Sequence, residues 1–158
     1  MAGVNTDALE GDLVRLPLVT QDEATLMVNG ETLPWWADGY PRKDDLDAVG
    51  MIGRGAPEWS VRHVIRRSDG QAVGTIGFFG PPEDGRVEMG YGLVESARRQ
   101  GLISDAVRAM LAAATAAGAD VIAHTTDDNI ASRATLTKFG FTRQEATNDD
   151  GENLYTRN

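Results

Sequence analysis

The chain has 158 residues, 41% hydrophobic and 25% charged, with a formal net charge of −9; this composition predicts one globular domain over residues 1–158. The absence of cysteine excludes disulfides, a thiolate nucleophile and a Cys-ligated zinc site, and the acidic balance disfavours nucleic acid, which requires a basic face. No apolar run approaches the roughly 18 residues that cross a membrane, and residues 1–12 lack the apolar core of a signal peptide, so we expect a cytoplasmic protein without a membrane partner.

The first third of the chain predicts one strand and two helices. Residues 12–19 alternate in polarity and contain a proline, a pattern that suits an edge strand. Thr20 and Glu23 have the spacing of a capping box, so a helix is predicted to begin here and to end near Gly30. A second helix is predicted over residues 44–52.

The middle of the chain predicts an antiparallel meander. Three segments rich in β-branched and aromatic residues, 60–67, 72–80 and 86–94, are separated by short sequences with turn-forming residues. Strands joined by such tight turns pair with their neighbours in antiparallel fashion.

The last third predicts helices that alternate with strands. Apolar residues at three- and four-residue spacing indicate a long helix from Leu102 that ends at Gly118, and a short buried strand follows at 121–123. A second helix is predicted between Asn129 as N-cap and Gly140, before a terminal hairpin. The fold class is therefore α+β in α/β/α layers, with a single mixed, mostly antiparallel central sheet of about six to seven strands flanked by helices.

Several common functional motifs are missing from the sequence. No serine lies in a GxSxG elbow, and there is no GxxxxGK[ST] phosphate loop. Gly90 and Gly92 resemble the start of a dinucleotide fingerprint, but Glu95 stands where the third glycine belongs. His63 and His124 fall on different predicted strands, so we expect packing roles for both and no metal site.

One segment has the features of an anion site, because a glycine-rich strand runs through a short basic loop into the long helix. The first N–H groups of a helix have no internal partner, and its N-terminus carries partial positive charge. Arg98 and Arg99 add full charges, and Gly101 would let a ligand approach the backbone closely. This arrangement suits a pyrophosphate, although a plain helix start with solvent-facing arginines would have the same sequence.

Three segments in sequence order resemble the GNAT superfamily of N-acetyltransferases. Arg98-x-x-Gly101 resembles its Q/R-x-x-G-x-G/A loop, whose backbone amides hold the pyrophosphate of CoA. Asn129-x-x-Ser132 with the following KFGF sequence is similar to the later N-x-x-S…K-x-G-F element. Residues 87–91 resemble the strand before the loop, most closely in the RimJ/RimL-like branch.

The resemblance implies that acetyl-CoA binds as cosubstrate at this loop. Ile103 departs from the pattern, because the family has a small residue at this position, and the phosphate turn is expected to be tighter or shifted. The loop residues implied to contact the donor are Arg98, Arg99, Gln100, Gly101, Ile103 and Ser104.

In this family, the amine attacks the thioester directly while both substrates are bound, so the resemblance also implies roles around the acyl group. Leu93 and Val94 lie where the family's fourth strand leaves the fifth, and their backbone groups would bind pantetheine and polarise the thioester carbonyl. Asn129 would hydrogen-bond the pantetheine arm.

Two side chains are candidates for moving protons. Glu88, on the approach strand, is the candidate general base, directly or through water. The alternative for Glu88 is a structural carboxylate paired with an arginine such as Arg66. Ser132 occupies the family's position near the leaving sulfur and is the candidate acid, although serine is also ordinary in the first turn of a helix.

The acceptor is expected to be a small-molecule amine or a protein N-terminus. Residues 1–58 carry a net charge of −7, against −2 for the rest, which suits a cationic partner or a solvated acidic surface. Trp35, Trp36 and Tyr40 are candidate substrate-binding residues, because aromatic rings bind ammonium groups. The same rings are compatible with core packing or a homodimer face.

Two other functions are compatible with the same motifs. A CoA-binding GNAT-like sensor or scaffold without turnover requires the same phosphate loop, and a transferase of a longer acyl-CoA requires the same catalytic residues. If the aromatic cluster is core, the acceptor wall is expected among Trp59, Phe79 and the turn at 148–151.

Overall fold

The computed structural model describes residues 7–50, 52 and 57–157. In this part of the chain, one eight-stranded sheet is flanked by four helices. The strands are β1 (Leu9–Glu10), β2 (Val14–Leu16), β3 (Val61–Arg66), β4 (Gln71–Phe78), β5 (Arg86–Leu93), β6 (Asp120–Thr125), β7 (Phe141–Thr147) and β8 (Asn153–Arg157). The helices are α1 (Gln21–Val28), α2 (Lys43–Val49), α3 (Leu102–Ala116) and α4 (Ile130–Lys138).

The sheet has the order β1-β2-β3-β4-β5-β6-β8-β7. Its neighbouring strands are antiparallel except for β5 and β6, which are parallel. This confirms the predicted meander and the predicted mixed, mostly antiparallel sheet, with eight strands in the described residues instead of six or seven. The unpredicted strand is β1, whose two residues are too few to produce a recognisable alternation.

Local sequence signals determine the helix ends. The Thr20 side chain accepts the N–H of Glu23 at 3.1 Å, and the Glu23 carboxylate accepts the N–H of Thr20 at 2.9 Å, which confirms the capping box. Asn129 caps α4, and Gly140 follows that helix with a φ of 86°. The second predicted helix is shorter than expected, since α2 ends at Val49.

Helices α1 and α2 lie on the same face of the sheet. Glu23 of α1 contacts His63 of β3, and Asp45 of α2 contacts Thr75 of β4. His63 and Thr75 are register partners, so their side chains point in the same direction. We call this side the α2 face.

Helices α3 and α4 lie on the opposite face. Gly92 of β5 is the register partner of Thr75 and shares its face, so the adjacent Tyr91 points to the other side. There the hydroxyl of Tyr91 contacts Ser132 of α4. The crossovers β5–α3–β6 and β6–α4–β7 run in one direction across the sheet, and their right-handedness places both helices on this side. We call it the α4 face.

The C-terminal hairpin completes the sheet. Strands β7 and β8 pair around the predicted turn, and β8 is inserted between β6 and β7. In the part of the chain that the structure describes, the helices are too short or too polar to traverse a lipid bilayer.

Candidate active site

Strands β5 and β6 are paired over only part of their length. Their register runs from Arg86 opposite Asp120 to Glu88 opposite Ile122. Beyond Glu88, β5 remains paired with β4 as far as Leu93. A gap therefore opens in the sheet between the second half of β5 and β6.

The backbone of β5 presents alternate residues to this gap. The N–H of Val94 donates to the carbonyl of Val73 at 2.8 Å, so the backbone groups of Val94 face β4. Because these groups alternate along an antiparallel ladder, those of Tyr91 and Leu93 face the gap. The N–H of Leu93 therefore faces the gap, and its expected contact with acetyl-CoA stays a prediction. The interpretation of Val94 as a backbone donor to the thioester is corrected, since its N–H is used inside the sheet.

The gap opens into a cavity of about 1120 Å³ that is lined by residues from both faces of the sheet. This volume is slightly above the usual range for small-molecule sites and leaves room for two substrates. Polar and aromatic lining residues include Arg42, Asp44, Asp45, Asp47, Trp59, Thr75, Phe79, Glu88, Tyr91, His124, Asn129, Ser132, Asn148, Asp150 and Glu152.

Glu88 lies on the α2 face, at the last position of β5 that is paired with β6. Its Oε2 atom is 3.0 Å from Nδ1 of His124, which gives an ion pair when the imidazole is protonated. The ring nitrogen is not aligned for a hydrogen bond, and the Glu88 side chain is 33% exposed. Pairing of Glu88 with Arg66 is wrong, because Arg66 binds Asp69 at 2.6 Å on the protein surface.

A buried ion pair lies beside Glu88 on the α2 face. Nη2 of Arg42 donates to Oδ1 of Asp45 at 3.0 Å, and the hydroxyl of Thr75 donates to the same oxygen at 2.5 Å. The Asp45 side chain is fully buried, while that of Arg42 is 23% exposed and lines the cavity. The backbone N–H, Nε and Nη2 of Arg42 and the hydroxyl of Thr75 all donate to this carboxylate, and these four hydrogen bonds fix the guanidinium against the sheet.

The two glycines of β5 make room for side chains that pack flat on the strand. A Cβ at Gly92 would lie 2.1 Å from Nη2 of Arg42, and a Cβ at Gly90 would lie 2.5 Å from the ring of Phe79. These close approaches explain the Gly-Tyr-Gly sequence by packing on the α2 face, where the sequence suggested a nucleotide fingerprint.

The predicted phosphate loop has two residues with left-handed backbone. Arg99 has a φ of 64° and Gly101 a φ of 78°. The nearest atom to a Cβ at Gly101 would be Cδ1 of Leu13 at 3.5 Å, an ordinary contact. Glycine is therefore required at 101 by its backbone conformation, while a side chain would have space. Arg99 adopts a conformation that few non-glycine residues adopt, which is typical of functional loops.

Other loop side chains hold the turn together. Nε of Arg98 donates to the carbonyl of Leu93 at 3.2 Å, which ties the loop to the end of β5. Gln100 donates to the carbonyl of Ser96 at 3.1 Å and accepts from Arg66 at 3.1 Å. Arg98, Arg99 and Gln100 are all exposed at the loop surface.

Helix α3 begins at this loop. The first α-helical backbone hydrogen bond runs from the N–H of Asp105 to the carbonyl of Gly101 at 3.2 Å. The N–H groups of Leu102, Ile103 and Ser104 therefore point out of the helix end, as an anion site requires. The Ile103 side chain is partly buried and packs against the core, which accommodates its size.

Asp105 has an internal role. Its buried carboxylate accepts the N–H groups of Asp12, Leu13 and Val14 at 3.2, 2.7 and 3.1 Å. Arg108 donates to it as well, at 3.0 Å. The first turn of α3 is thereby attached to the start of β2.

The start of α4 lies on the other side of the gap. Oδ1 of Asn129 accepts the N–H of Ser132 at 3.2 Å, so half of the Asn129 amide is used in the cap. The hydroxyl of Tyr91 lies 3.1 Å from Oγ of Ser132 and 3.4 Å from its carbonyl oxygen. Burial raises the pKa of Tyr91, and the hydrogen bond with Ser132 offsets only part of that effect.

The aromatic cluster proposed as a substrate wall lies mainly in the core. The side chains of Trp36 and Tyr40 are only 6% and 2% exposed. Trp35 and Tyr40 pack edge-on against His63, with ring centroids 5.1 and 5.8 Å apart. These residues are not among those that line the cavity, so the interpretation as an acceptor wall is corrected in favour of core packing. Apolar burial of large rings outweighs an exposed cation contact.

His63 lies between two polar partners inside this cluster. Its Nδ1 is 2.6 Å from the hydroxyl of Tyr40, and its Nε2 is 3.0 Å from Oε1 of Glu23. Burial raises the pKa of Glu23, but hydrogen bonds from His63 and Thr20 outweigh it, and the net pKa is lowered. The packing role expected for His63 is thus accompanied by a hydrogen-bond network.

Sequence reasoning missed three cavity residues. His124 was interpreted as a packing residue, Tyr91 as part of a glycine-rich strand, and Arg42 received no role. The alternation of β5 predicts that Glu88 and Tyr91 point to opposite faces. No sequence signal gives the partners of these residues, because the β5–β6 register and the position of α2 are set by tertiary packing.

Comparison with known proteins agrees with this geometry. The model of the acetyltransferase (GNAT) domain matches residues 10–142. The fold is similar to that of a protein from Bordetella pertussis described as a GNAT-family acetyltransferase, with a TM-score of 0.70, 20% identity, and coverage of 96% of this chain and 99% of that one. Comparison with curated proteins gave no match.

Two further structures were solved with bound ligands. RimL, a ribosomal L7/L12 alpha-N-protein acetyltransferase in complex with coenzyme A, has a TM-score of 0.67 and 17% identity over 96% of this chain and 97% of its own. The microcin C7 self-immunity acetyltransferase MccE, in complex with acetyl-CoA and AMP, has a TM-score of 0.63 and 18% identity over 99% and 96%. The sheet with its gap, the loop before α3 and the family model together show that this chain belongs to the GNAT acetyltransferase family.

Proposed function

We propose that this protein transfers the acetyl group of acetyl-CoA to a primary amine by direct attack in a ternary complex. One observation carries the proposal: a cavity lined by residues of both sheet faces opens at the gap between β5 and β6, and the Glu88 carboxylate lies in its wall. Acetyl-CoA-dependent acetylation is general for the GNAT family. The RimJ/RimL-like branch is supported by residues 87–91 and by the similarity to RimL.

The donor is proposed to bind along the α4 face. The N–H groups at the start of α3, including those of Ile103 and Ser104, would hold the pyrophosphate, with charge from Arg98 and Arg99. The backbone of Leu93 would face the pantetheine arm in the gap. Because Oδ1 of Asn129 is used in the helix cap, its NH₂ group would donate to a pantetheine carbonyl.

The acceptor is proposed to enter from the α2 face. The amine nitrogen attacks the thioester carbon, a C–N bond forms, the C–S bond breaks, and the products are an amide and CoA. Glu88 would take the amine proton, directly or through water. His124, 3.0 Å away, would hold the Glu88 carboxylate in place as an ion pair when its imidazole is protonated.

The cavity wall supports a cationic acceptor. Its described lining residues include Asp44, Asp47, Asp150 and Glu152, in addition to Glu88 and the paired Asp45. Trp59 and Phe79 add aromatic surface. A small amine or a protein N-terminus, both cationic at neutral pH, fits this charge.

The test is a screen of amines and peptide N-termini with acetyl-CoA and detection of released thiol. We expect acceptor-dependent CoA release, and a KM for the acceptor that rises with ionic strength as salt screens the acidic wall. Competing acyl-CoAs would identify a longer natural donor. Tight CoA binding without acceptor-dependent release for any amine would contradict the proposal and favour a sensor or scaffold.

A further inference from the structure

Arg42 is the single arginine or lysine among the described residues that line the cavity. Its Nε and Nη2 atoms donate to Asp45, and the outer edge of the guanidinium, with Nη1, has no acceptor in the described part of the chain. A guanidinium has five N–H donors in a rigid plane, and two parallel N–H groups match the oxygens of a carboxylate. One edge of Arg42 is therefore used by the protein, and the other is available to a ligand.

The guanidinium lies directly on the end of β5. Its Cζ and Nη1 atoms are 2.7 and 2.9 Å from the position that a Cβ of Gly92 would take. The Asp45 side chain is fully buried, whereas that of Arg42 is partly exposed to the cavity. Asp45 and Gly92 thus hold this cation at a fixed place on the α2 face, so little side-chain entropy remains to be lost when a ligand binds.

Gly92, beneath the Arg42 guanidinium, and Glu88 lie on the same face of β5. They are separated by four positions, so both face α2. At a rise of ~3.3 Å per residue, their Cα atoms are about 13 Å apart. A hydrogen bond of about 3 Å at each end leaves at most about 7 Å between two ligand groups that contact Glu88 and Arg42. That is the length of an amino acid or of an extended dipeptide.

We propose that Arg42 binds a carboxylate of the acceptor, and that the acceptor is an amino acid or a dipeptide. This inference rests on the proposed acetyl transfer and names its substrate class. The amine of the acceptor faces Glu88, and its carboxylate accepts two N–H groups from the outer edge of Arg42. The main chain of a protein N-terminus continues as amides and offers no carboxylate at this distance.

The charges of the cavity wall agree with a zwitterionic acceptor. Asp44, Asp47, Asp150 and Glu152 favour an ammonium group and disfavour an isolated carboxylate. The guanidinium of Arg42 is charged at every physiological pH, so it provides a constant site for the negative end of the molecule. The acidic wall and Arg42 therefore select opposite ends of one small ligand.

The test compares dipeptides with the corresponding dipeptide amides as acceptors, with acetyl-CoA and detection of released thiol. The amide keeps the amine and the length of the dipeptide and removes only the carboxylate. We expect kcat/KM for the free acids to exceed that for the amides by roughly tenfold to a hundredfold, the effect of a charged hydrogen-bonded pair. The first residue of the dipeptide is varied, so that a side-chain preference of the cavity does not decide the result.

Arg42→Gln is expected to bring this ratio close to one. Because the substitution leaves the buried Asp45 without its cation, the double variant with Asp45→Asn is measured beside it. Arg108→Gln is the matched control and should keep the wild-type ratio, since Arg108 pairs with the buried Asp105 at the same three-residue spacing outside the cavity lining. An unchanged ratio in a folded variant of either kind would overturn the inference and leave Arg42 as a structural partner of Asp45.

Turnover and binding separate this inference from the proposed function. Acetylation of amides or peptide N-termini with no preference for the free acid would overturn the carboxylate site and leave acetyl transfer intact. If no amine is acetylated, the proposed function fails, and calorimetry on the CoA-bound protein still compares a dipeptide with its amide. Tighter binding of the free acid that is lost in the Arg42 variants would support the carboxylate site, whereas equal affinities would overturn it.

Discussion

The two faces of β5 are built from different parts of the chain. On the α4 face, a contiguous segment supplies backbone N–H groups at the start of α3, next to two residues with left-handed backbone. On the α2 face, side chains from separate elements meet, among them Glu88, His124 and the Arg42–Asp45 pair. The loop before α3 can be recognised from one short sequence motif, whereas the residues of the α2 face come together only in the folded protein.

The largest effect is a loss of kcat, expected from a substitution on the α2 face alone. Glu88→Gln keeps the shape of the side chain and removes the proton acceptor, so kcat should fall roughly a hundredfold while CoA affinity is unchanged. Steady-state kinetics and calorimetry of CoA binding check this. Glu145→Gln, on the exposed surface of β7, is the control.

The loss in Glu88→Gln should shrink at high pH, where more of the acceptor amine is already neutral. A variant with the wild-type rate at pH 7 would show that water or another group takes the proton, and would remove the α2 face from the chemistry.

A smaller effect, on CoA affinity, is expected from a change to the backbone of the loop on the α4 face. Gly101→Val forces a β-branched residue to a φ of 78°, at a cost of about 1–2 kcal/mol, so CoA should bind about tenfold more weakly. Arg99→Ala removes an exposed charge and should weaken CoA at most about threefold. Calorimetry distinguishes the two.

Gly118→Val is the matched control for this change. Gly118 has the same φ of 78° and open space around it, but it follows the far end of α3. It should cost stability without changing CoA affinity. Equal and small changes in CoA affinity for Gly101→Val and Arg99→Ala would indicate that the pyrophosphate binds elsewhere.

The smallest effect is expected on the free energy of unfolding. It comes from the Glu23–His63–Tyr40 hydrogen-bond network, which supports the α2 face. The pKa of Glu23 is lowered in the folded protein from its ordinary value of 4.5. The stabilisation is therefore present above that value and is lost as the pH falls through the lower folded pKa. Glu23→Gln should cost about 1 kcal/mol at pH 7 and progressively less in acid.

Thermal unfolding of Glu23→Gln and wild type across pH 3–7 measures this difference. Asp22→Asn, on the exposed side of the same turn, is the control and should show little pH-dependent loss. A difference in Tm that grows on acidification would contradict the assigned direction.

The architecture was predictable because its signals are local. Alternation gave the meander, the spacing of apolar residues gave α3, and the Thr20–Glu23 box and Gly140 gave helix ends. The insertion of β8 between β6 and β7 was not predictable, because either strand of a hairpin can pair with a third strand. The order is decided by which one packs better against the rest of the sheet.

The candidate site was predictable only in part, for the same reason. The loop at 98–104 could be located because a helix start and a left-handed glycine leave marks in consecutive residues. His124 is 36 positions from Glu88, and only the β5–β6 register brings them together. The sequence allowed Trp36 and Tyr40 to line the acceptor site or to pack in the hydrophobic core, because residue type alone does not distinguish an aromatic ring that lines a cavity from one that is buried.

The short parallel ladder between β5 and β6 has a mechanical consequence. Three register pairs join the half-sheet β1–β5 to the half-sheet β6–β8, fewer than the five between β4 and β5 or the four between β6 and β8. A pantetheine arm that hydrogen-bonds to both edges of the gap would bridge β5 and β6 beyond their three register pairs. It would thereby couple the two half-sheets into one cooperative unit. Slowed amide hydrogen exchange along both strands would then report occupancy of the gap.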